Sequence, residues 1–245
     1  MTFCLGMRLK DGLVGIADTR VTAGNEYITA PKLSKYEFND GACFLMTSGL
    51  RSVRDKTITY FERLIENRQE PFAYTYEAVN ALSSCIRQVA KEDKAALEEN
   101  GTTFCINVLF GGRFQSDSTH KLYKIYSEGN WIEIGEGTPY HIIGASGYGK
   151  PILDRTLKFT DPISFALKVG CLAFDSTRIS AADVGLPVDI VIFLPDEPNR
   201  MVSYRYESEN FKEISTLWQA RLRTSIDSMD ANWLTPVLDL MKKKP

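Results

Sequence analysis

Histidine is scarce in this chain: there are two in 245 residues, His120 and His141. Two imidazoles are too few for a histidine-based metal cluster, and they leave Ser–His catalysis few candidates. Cysteine is no richer in pattern. Cys4, Cys43, Cys85, Cys105 and Cys171 are odd in number, scattered, and without any C-x-x-C pair. That argues against a zinc site or a disulfide frame and for free thiols in a reducing cytosol. There is no apolar run of about 18 residues that could span a bilayer. Lys and Arg interrupt the first apolar run, so it does not read as a secretory signal. The net charge of −2 makes no electrostatic case for nucleic acid, and the run Lys242–Lys244 reads as a solvated tail. Internal repeats and low-complexity stretches are lacking too. What remains is a cytoplasmic chain, 44% apolar, long enough for one sizeable domain over residues 1–245.

Periodicity supplies the elements. Two apolar-rich runs, Phe3–Leu9 and Leu13–Ala17, are joined by Asp11-Gly12, a hairpin signal. Val21–Ala30, with Gly24-Asn25, reads as a loop. Strands are expected at Lys32–Phe38 and Ala42–Thr47. Leu50, Val53, Ile58, Phe61, Leu64 and Ile65 then recur at helical spacing from Gly49 to about Asn67. A second helix spans roughly Tyr76–Glu99. Apolar stripes on both are more than one small sheet is expected to bury. Strands resume at Thr103–Phe110, ended by Gly111-Gly112, and continue at Lys121–Ser127, Trp131–Ile134 and Tyr140–Ile143. Pro151–Phe159 and Pro162–Ser176 read as helices, the latter with Asp161 as its cap. Strands Pro187–Leu194 and Met201–Tyr206 flank a turn at 195–199. A terminal helix starts near Glu209, with Phe211, Ile214, Leu217 and Trp218 facing inward. Hairpin connections dominate and helices come in pairs, so the pattern is α+β with mainly antiparallel sheets.

The chemistry concentrates at the start. Thr2 sits behind a removable methionine, the second run ends in Asp18, Arg20 follows two residues on, and Lys32 and Lys35 lie within the next strand. A threonine hydroxyl is a poor nucleophile until a base takes its proton, and its own α-amine can be that base once Met1 is gone.

These residues resemble the opening of a proteasome β-subunit, an N-terminal-nucleophile (Ntn) hydrolase, and within that family the bacterial Anbu branch, the ancestral β-subunit. The matching pieces are Thr2, Gly12–Val14, Asp18-Thr19-Arg20, Ala23-Gly24, Ile28 and Lys32. Thr47-Ser48-Gly49, Gly144–Arg155 and Val184–Asp189 follow in order, so the similarity covers most of the chain. The resemblance implies a four-layer αββα sandwich with Thr2 at one end of the cleft between the sheets. It implies Thr2 as nucleophile, a lysine kept positive beside it, Asp18 holding that lysine, and Gly49 offering its backbone N–H to an oxyanion. Ser146 is implied to approach the catalytic amine, and Arg20 to order its loop. The lysine is Lys32 or Lys35, which an odd step puts on opposite faces of a strand. The Ile28-to-lysine spacing, and Glu37 as a ready surface partner for Lys35, favour Lys32.

Two features depart from the family. The turn Asp183-Val184-Gly185-Leu186 lacks a second serine, and only Asp175 or Asp183 is available as the aspartate near the threonine. No cleaved propeptide precedes Thr2, so it would be exposed by removal of Met1 alone. Gly144–Pro151 imitates a phosphate-binding G-x-x-x-x-G-K-[ST] loop, but Pro151 has no hydroxyl for Mg²⁺ and one N–H fewer, so no nucleotide or other cofactor is expected. The implied function is a threonine peptidase or amidohydrolase in a homo-oligomeric ring or helical assembly. The alternative is a subunit that keeps the fold while its hydrolysis is weak or lost. Partners are copies of itself and a peptide or small amide, with no nucleic acid and no membrane.

Overall fold

A computed structural model describes residues 2–23, 26–195 and 201–242. The chain divides into two compact units, Met1–Ser208 and Glu209–Pro245.

In the first unit, β1 (Phe3–Leu9) and β2 (Gly12–Asp18) form the expected hairpin, and every residue of both is buried. Near-continuous apolar runs of this kind, broken only by Arg8 and the terminal Asp18, belong in strands covered on both faces. The turn closes one residue early: Leu9 faces Gly12, so Lys10-Asp11 makes the bend and Gly12 opens β2. That glycine allows a close approach, since a Cβ there would lie 2.3 Å from the Phe193 carbonyl oxygen. The expected loop over 21–30 is a two-stranded ribbon of β3 (Arg20–Ala23) and β4 (Glu26–Thr29); Gly24 and Asn25 lie outside the described residues.

The chain continues through β5 (Leu33–Phe38), β6 (Gly41–Gly49), α1 (Arg51–Glu66), α2 (Thr75–Glu99), β7 (Ile106–Phe114), β8 (Lys121–Ile125), β9 (Trp131–Glu133) and β10 (Tyr140–Gly144). It then passes α3 (Lys150–Thr156), α4 (Ile163–Ser180), β11 (Val188–Phe193) and β12 (Met201–Tyr206). One sheet runs β10-β1-β2-β11-β12 and the other β5-β6-β7-β8-β9, all pairs antiparallel. Between them Cys4, Leu13, Phe44, Met46, Leu109, Leu122, Ile143 and Val191 form the inner core. Outside the second sheet, α1 and α2 close a separate cluster around Phe61, Val79, Leu82, Ile86 and Phe110. Outside the first lies α4, whose Gly170 comes close to Met7 and Ile16, with α3 packed against it. The result is the four-layer αββα sandwich of the Ntn hydrolases.

Several expectations need correction. The stripe of α2 is buried within the chain at Val79, Leu82, Ile86 and Val89, because the helix packs on both the sheet and α1. That of α1 is buried at Val53 and Phe61 but only half-buried at Leu50, Ile58, Leu64 and Ile65. Gly111-Gly112 does not end β7. The strand runs on to Phe114, and the missing side chain makes space for an aromatic ring: a Cβ on Gly111 would sit 2.6 Å from Phe44 Cζ. Asp161 does not cap α4, whose N-cap is Pro162 without a side-chain bond. Its carboxylate instead accepts from the Lys158 N–H at 2.8 Å. The turn at 195–199 lies outside the described residues from 196 onward.

The second unit consists of most of α5 (Ser208–Asp227), a short 3₁₀ turn at Asn232–Leu234, and α6 (Thr235–Lys242). Phe211 is buried, but Leu217, expected to face inward, is 58% exposed. Ile226, Met229, Trp233, Val237, Leu240 and Met241 are exposed as well. Among the described residues, no helix is long and apolar enough to cross a membrane.

The contact at Gly111 sets a stability test. Gly111→Ala should cost about 1–3 kcal/mol in urea unfolding, the usual penalty of overpacking a core. Gly135→Ala, with open space around the new methyl, should change stability by less than about 1 kcal/mol.

Candidate active site

The site is built where β1 and β2 run out at one end of the sandwich. Phe3 lies opposite Gly144 on one side, and the Ala145 N–H donates to the Thr2 carbonyl at 2.7 Å. A Cβ on Gly144 would fall 1.9 Å from that carbonyl oxygen, and its φ is +91°. Only glycine lets the chain pass so close. Thr2 is thereby held by its backbone, with its half-buried side chain on a cleft of about 800 Å³.

Asp18 and Lys32 meet beside it. Lys32 Nζ donates to Asp18 Oδ1 at 2.6 Å and to the Arg20 carbonyl, also at 2.6 Å. The same Oδ1 accepts the Phe3 N–H at 2.8 Å, and Oδ2 accepts a long bond from the Gly185 N–H at 3.5 Å. Asp18 is fully buried and the Lys32 side chain only 3% exposed. Burial pushes the Asp18 carboxyl upward, and the Lys32 ammonium and the two N–H donors pull it back. Two charges this dry persist only when paired and hydrogen-bonded.

Lys35 goes elsewhere. It shares a strand face with Leu33, which packs into the inner core, and its Nζ donates to Ser203 Oγ on β12 at 2.8 Å. Lys32 precedes β5 by one residue and is free to turn toward Asp18.

Gly49 ends β6 with φ +122°, and a Cβ there would lie 2.2 Å from the Cys105 carbonyl oxygen. The ladder fixes where its N–H points. Leu50 N–H donates to the Cys105 carbonyl and Thr47 N–H to the Lys32 carbonyl, so by alternation the Gly49 N–H turns away from β7, toward the side where β5 begins. Ile106, its partner in register, directs its own N–H and carbonyl to Ser127 Oγ, as a non-bonded pair requires. The Gly49 donor thus lies on the cleft with Thr2 and Lys32. Proline at this position would break the turn rather than only delete the donor.

Arg20 donates to the Ala182 carbonyl at 2.9 Å, lies against the Tyr27 ring and packs tightly on Gly185, which ties the loop before β11 to the floor of the cleft. Among the described residues, neither Ser146 nor Asp175 makes a hydrogen bond to Thr2. Ser146 is exposed and lines a neighbouring cavity: the Ala145 N–H is spent on Thr2, and the next residue starts the turn in which the Ser146 carbonyl accepts from the Lys150 N–H. Asp175 is buried on α4 and pairs with Arg178 at 2.6 Å. Thr47, of the Thr47-Ser48-Gly49 match, also lines the cleft, as do Arg51, Arg54 and Asn107, which no motif singled out. Arg51 and Arg54, at helical spacing just after Thr47-Ser48-Gly49, were the available signal. Both arginines bind Asp55.

A buried lysine–aspartate pair beside a residue-2 threonine, inside an αββα sandwich, defines a proteasome-type subunit, and the chain belongs to the proteasome subunit family, whose model matches residues 2–166. Within that family it stands with Anbu, the ancestral β-subunit. Anbu from Yersinia bercovieri is 29% identical with a TM-score of 0.85, covering 94% of this chain and 98% of its own. The structure described as a helical assembly of the Anbu complex from Pseudomonas aeruginosa is 30% identical at TM-score 0.86, with 94% and 97% covered. Anbu from Hyphomicrobium sp. strain MC1 is 28% identical at 0.84, with 93% and 98% covered. A search of curated proteins finds no match.

Removing one partner of the buried pair should be costly. Lys32→Met leaves the Asp18 charge uncompensated and should destabilise the chain by about 3–5 kcal/mol in urea, whereas Lys35→Met, on an exposed side chain, should stay within about 0.5 kcal/mol. Equal costs would show that the Asp18 pair is not the buried constraint.

Proposed function

We propose that the chain is a threonine-type hydrolase acting on peptide or small amide bonds in the cytoplasm, with Thr2 made N-terminal by removal of Met1. The observation that carries this reading is the Lys32 ammonium, held by Asp18 at 2.6 Å on the cleft that Thr2 lines. The α-amine takes the proton of Thr2 Oγ as it attacks the substrate carbonyl. The Lys32 charge favours the deprotonated threonine, and the Gly49 N–H receives the oxyanion. The amine then gives the proton to the leaving nitrogen, and an ester to Thr2 Oγ remains. Water activated by the same amine cleaves that ester and restores the threonine. Asp18 and Arg20 act on the position of Lys32 and its loop rather than on substrate.

The test is intact-mass analysis after exposure to a peptide epoxyketone. Protein starting at Thr2 should gain one adduct on that residue, and Lys32→Ala should slow labelling by about 10²–10³, as for loss of a main electrostatic stabiliser. A free Thr2 amine with no adduct would sink the hydrolase reading. It would favour a second one, an assembly subunit with silent chemistry, which the lack of a second serine in the turn Asp183-Val184-Gly185-Leu186 supports.

Both readings include self-assembly, with the Pseudomonas aeruginosa helical assembly as the supporting relative. The exposed apolar residues of the second unit are the surface whose burial would drive it. Full-length protein should scatter light as a homo-oligomer well above a dimer at micromolar concentration, and truncation after Tyr206 should reduce its mass. A monomeric full-length chain would remove the claim.

A further inference from the structure

Beyond Gly144 and Asn107, which line the Thr2 cleft, lies a second cavity of about 350 Å³ that both residues also line. Its volume is within the roughly 300–1,000 Å³ of small-molecule pockets. Its walls carry an unusual set of groups for the inner faces of two sheets. Lys124 on β8 shares a face with Leu122, and His141 on β10 shares one with Ile143; Leu122 and Ile143 both belong to the core between the sheets. A cation and an imidazole therefore stand where the pattern of each strand places an apolar residue, and they face the same space from opposite sheets.

The charges in this cavity do not cancel. Lys150 is neutralised by Asp154 at 2.6 and 2.7 Å, and the same carboxylate takes the Tyr140 hydroxyl. Lys124 has the Tyr126 ring 4.2 Å away, and among the described residues no carboxylate stands within ion-pair distance of it. Burial holds its pKa below the usual lysine range. Burial first, then Lys124 and Lys150, push His141 down to about 4. At neutral pH the imidazole is uncharged with one N–H to donate, and the cavity keeps a single uncompensated positive charge. One monoanion with two acceptor oxygens satisfies both the Lys124 ammonium and the His141 donor.

We infer that the Lys124–His141 cavity is a subsite of the hydrolytic cleft that takes a carboxylate of the substrate, either an acidic side chain or the free C-terminus of a peptide. The inference rests on the hydrolase reading for the word substrate, but carboxylate binding is measurable without any turnover. Because Asn107 and Gly144 border both cavities, a chain lying across Thr2 reaches Lys124 without leaving the cleft. The subsite thus selects acidic or short carboxy-terminated ligands over neutral ones.

The two histidines make the test clean. In the full-length protein carrying ¹³C-histidine, N-acetylglutamate α-amide (side-chain carboxylate) and N-acetylglycine (terminal carboxylate) are titrated against N-acetylglutamine amide. One or both carboxylates should shift the His141 ring signal saturably and raise its pKa from about 4, with His120 as an internal reference; whichever arm responds identifies the source. Lys124→Met should weaken that binding about tenfold and Lys124→Arg restore most of it. No shift at His141, an equal shift with the neutral amide, or undiminished binding in Lys124→Met would each overturn the site. Paired epoxyketones with acidic and neutral side chains supply the kinetic arm: Lys124→Met should lower Thr2 labelling by the acidic probe about tenfold more than by the neutral one. If neither probe labels Thr2, the hydrolase reading fails while the titration still decides the subsite.

Discussion

A lysine ammonium and an aspartate carboxylate buried together between two sheets govern the architecture around the cleft. Asp18 closes β2 in one sheet, and Lys32 leads into β5 in the other, so their 2.6 Å bond ties the layers at the end where the cleft opens. Desolvating two charges costs several kcal/mol each, which Coulomb attraction alone repays poorly. The surroundings complete the compensation: the Phe3 and Gly185 N–H groups donate to the carboxylate and the Arg20 carbonyl accepts from the ammonium. Those bonds set the start of β1, the loop before β11 and the ribbon after β2 in one arrangement. The position of Thr2 is a consequence of that network and of the bond from Ala145.

The two cavities share one physical origin. Along β6, β7, β8 and β10 the inward faces carry Met46, Leu109, Leu122 and Ile143, all in the inner core. One pleat toward Thr2, β6 and β7 carry Ser48 and Asn107, which line its cleft, while Lys124 and His141, one pleat from Leu122 and Ile143 on their own strands, line the second cavity. The sandwich's inner faces change from apolar to polar within two residues, and the space that the core stops filling becomes the place where a ligand fits. Glycines with positive φ at 49 and 144 border that space, because backbone can approach a ligand or another backbone closely only where no Cβ intervenes.

Much of this was legible in the residues. Apolar-rich runs and 3.6-residue stripes are local properties, and the elements built on them lie close to where they were expected. The errors have a common cause. Gly111-Gly112 reads as a terminator because glycine is usually a breaker, but the Phe44 ring on a strand distant in sequence uses that space. The ribbon at 20–29 reads as a loop because its strands are short and exposed. The second unit exposes Leu217 where helical periodicity counts it inward, since periodicity marks a face without saying what covers it.

The division is sharpest at the site. The sequence by itself determined the α+β class, the family through the order of its motifs, and the set of groups at the start of the chain: Thr2, Asp18, Arg20 and two lysines. It favoured Lys32 over Lys35 by the spacing from Ile28 and by Glu37 as a surface partner for Lys35, although a one-residue difference at the start of a strand reverses the face. Tertiary structure supplied the partner each lysine finds, Asp18 for Lys32 and Ser203 for Lys35. It also decided that Lys124 and His141, 17 residues apart in sequence, face one cavity. Local pattern records which face a residue takes; only the packing of two sheets determines what lies opposite.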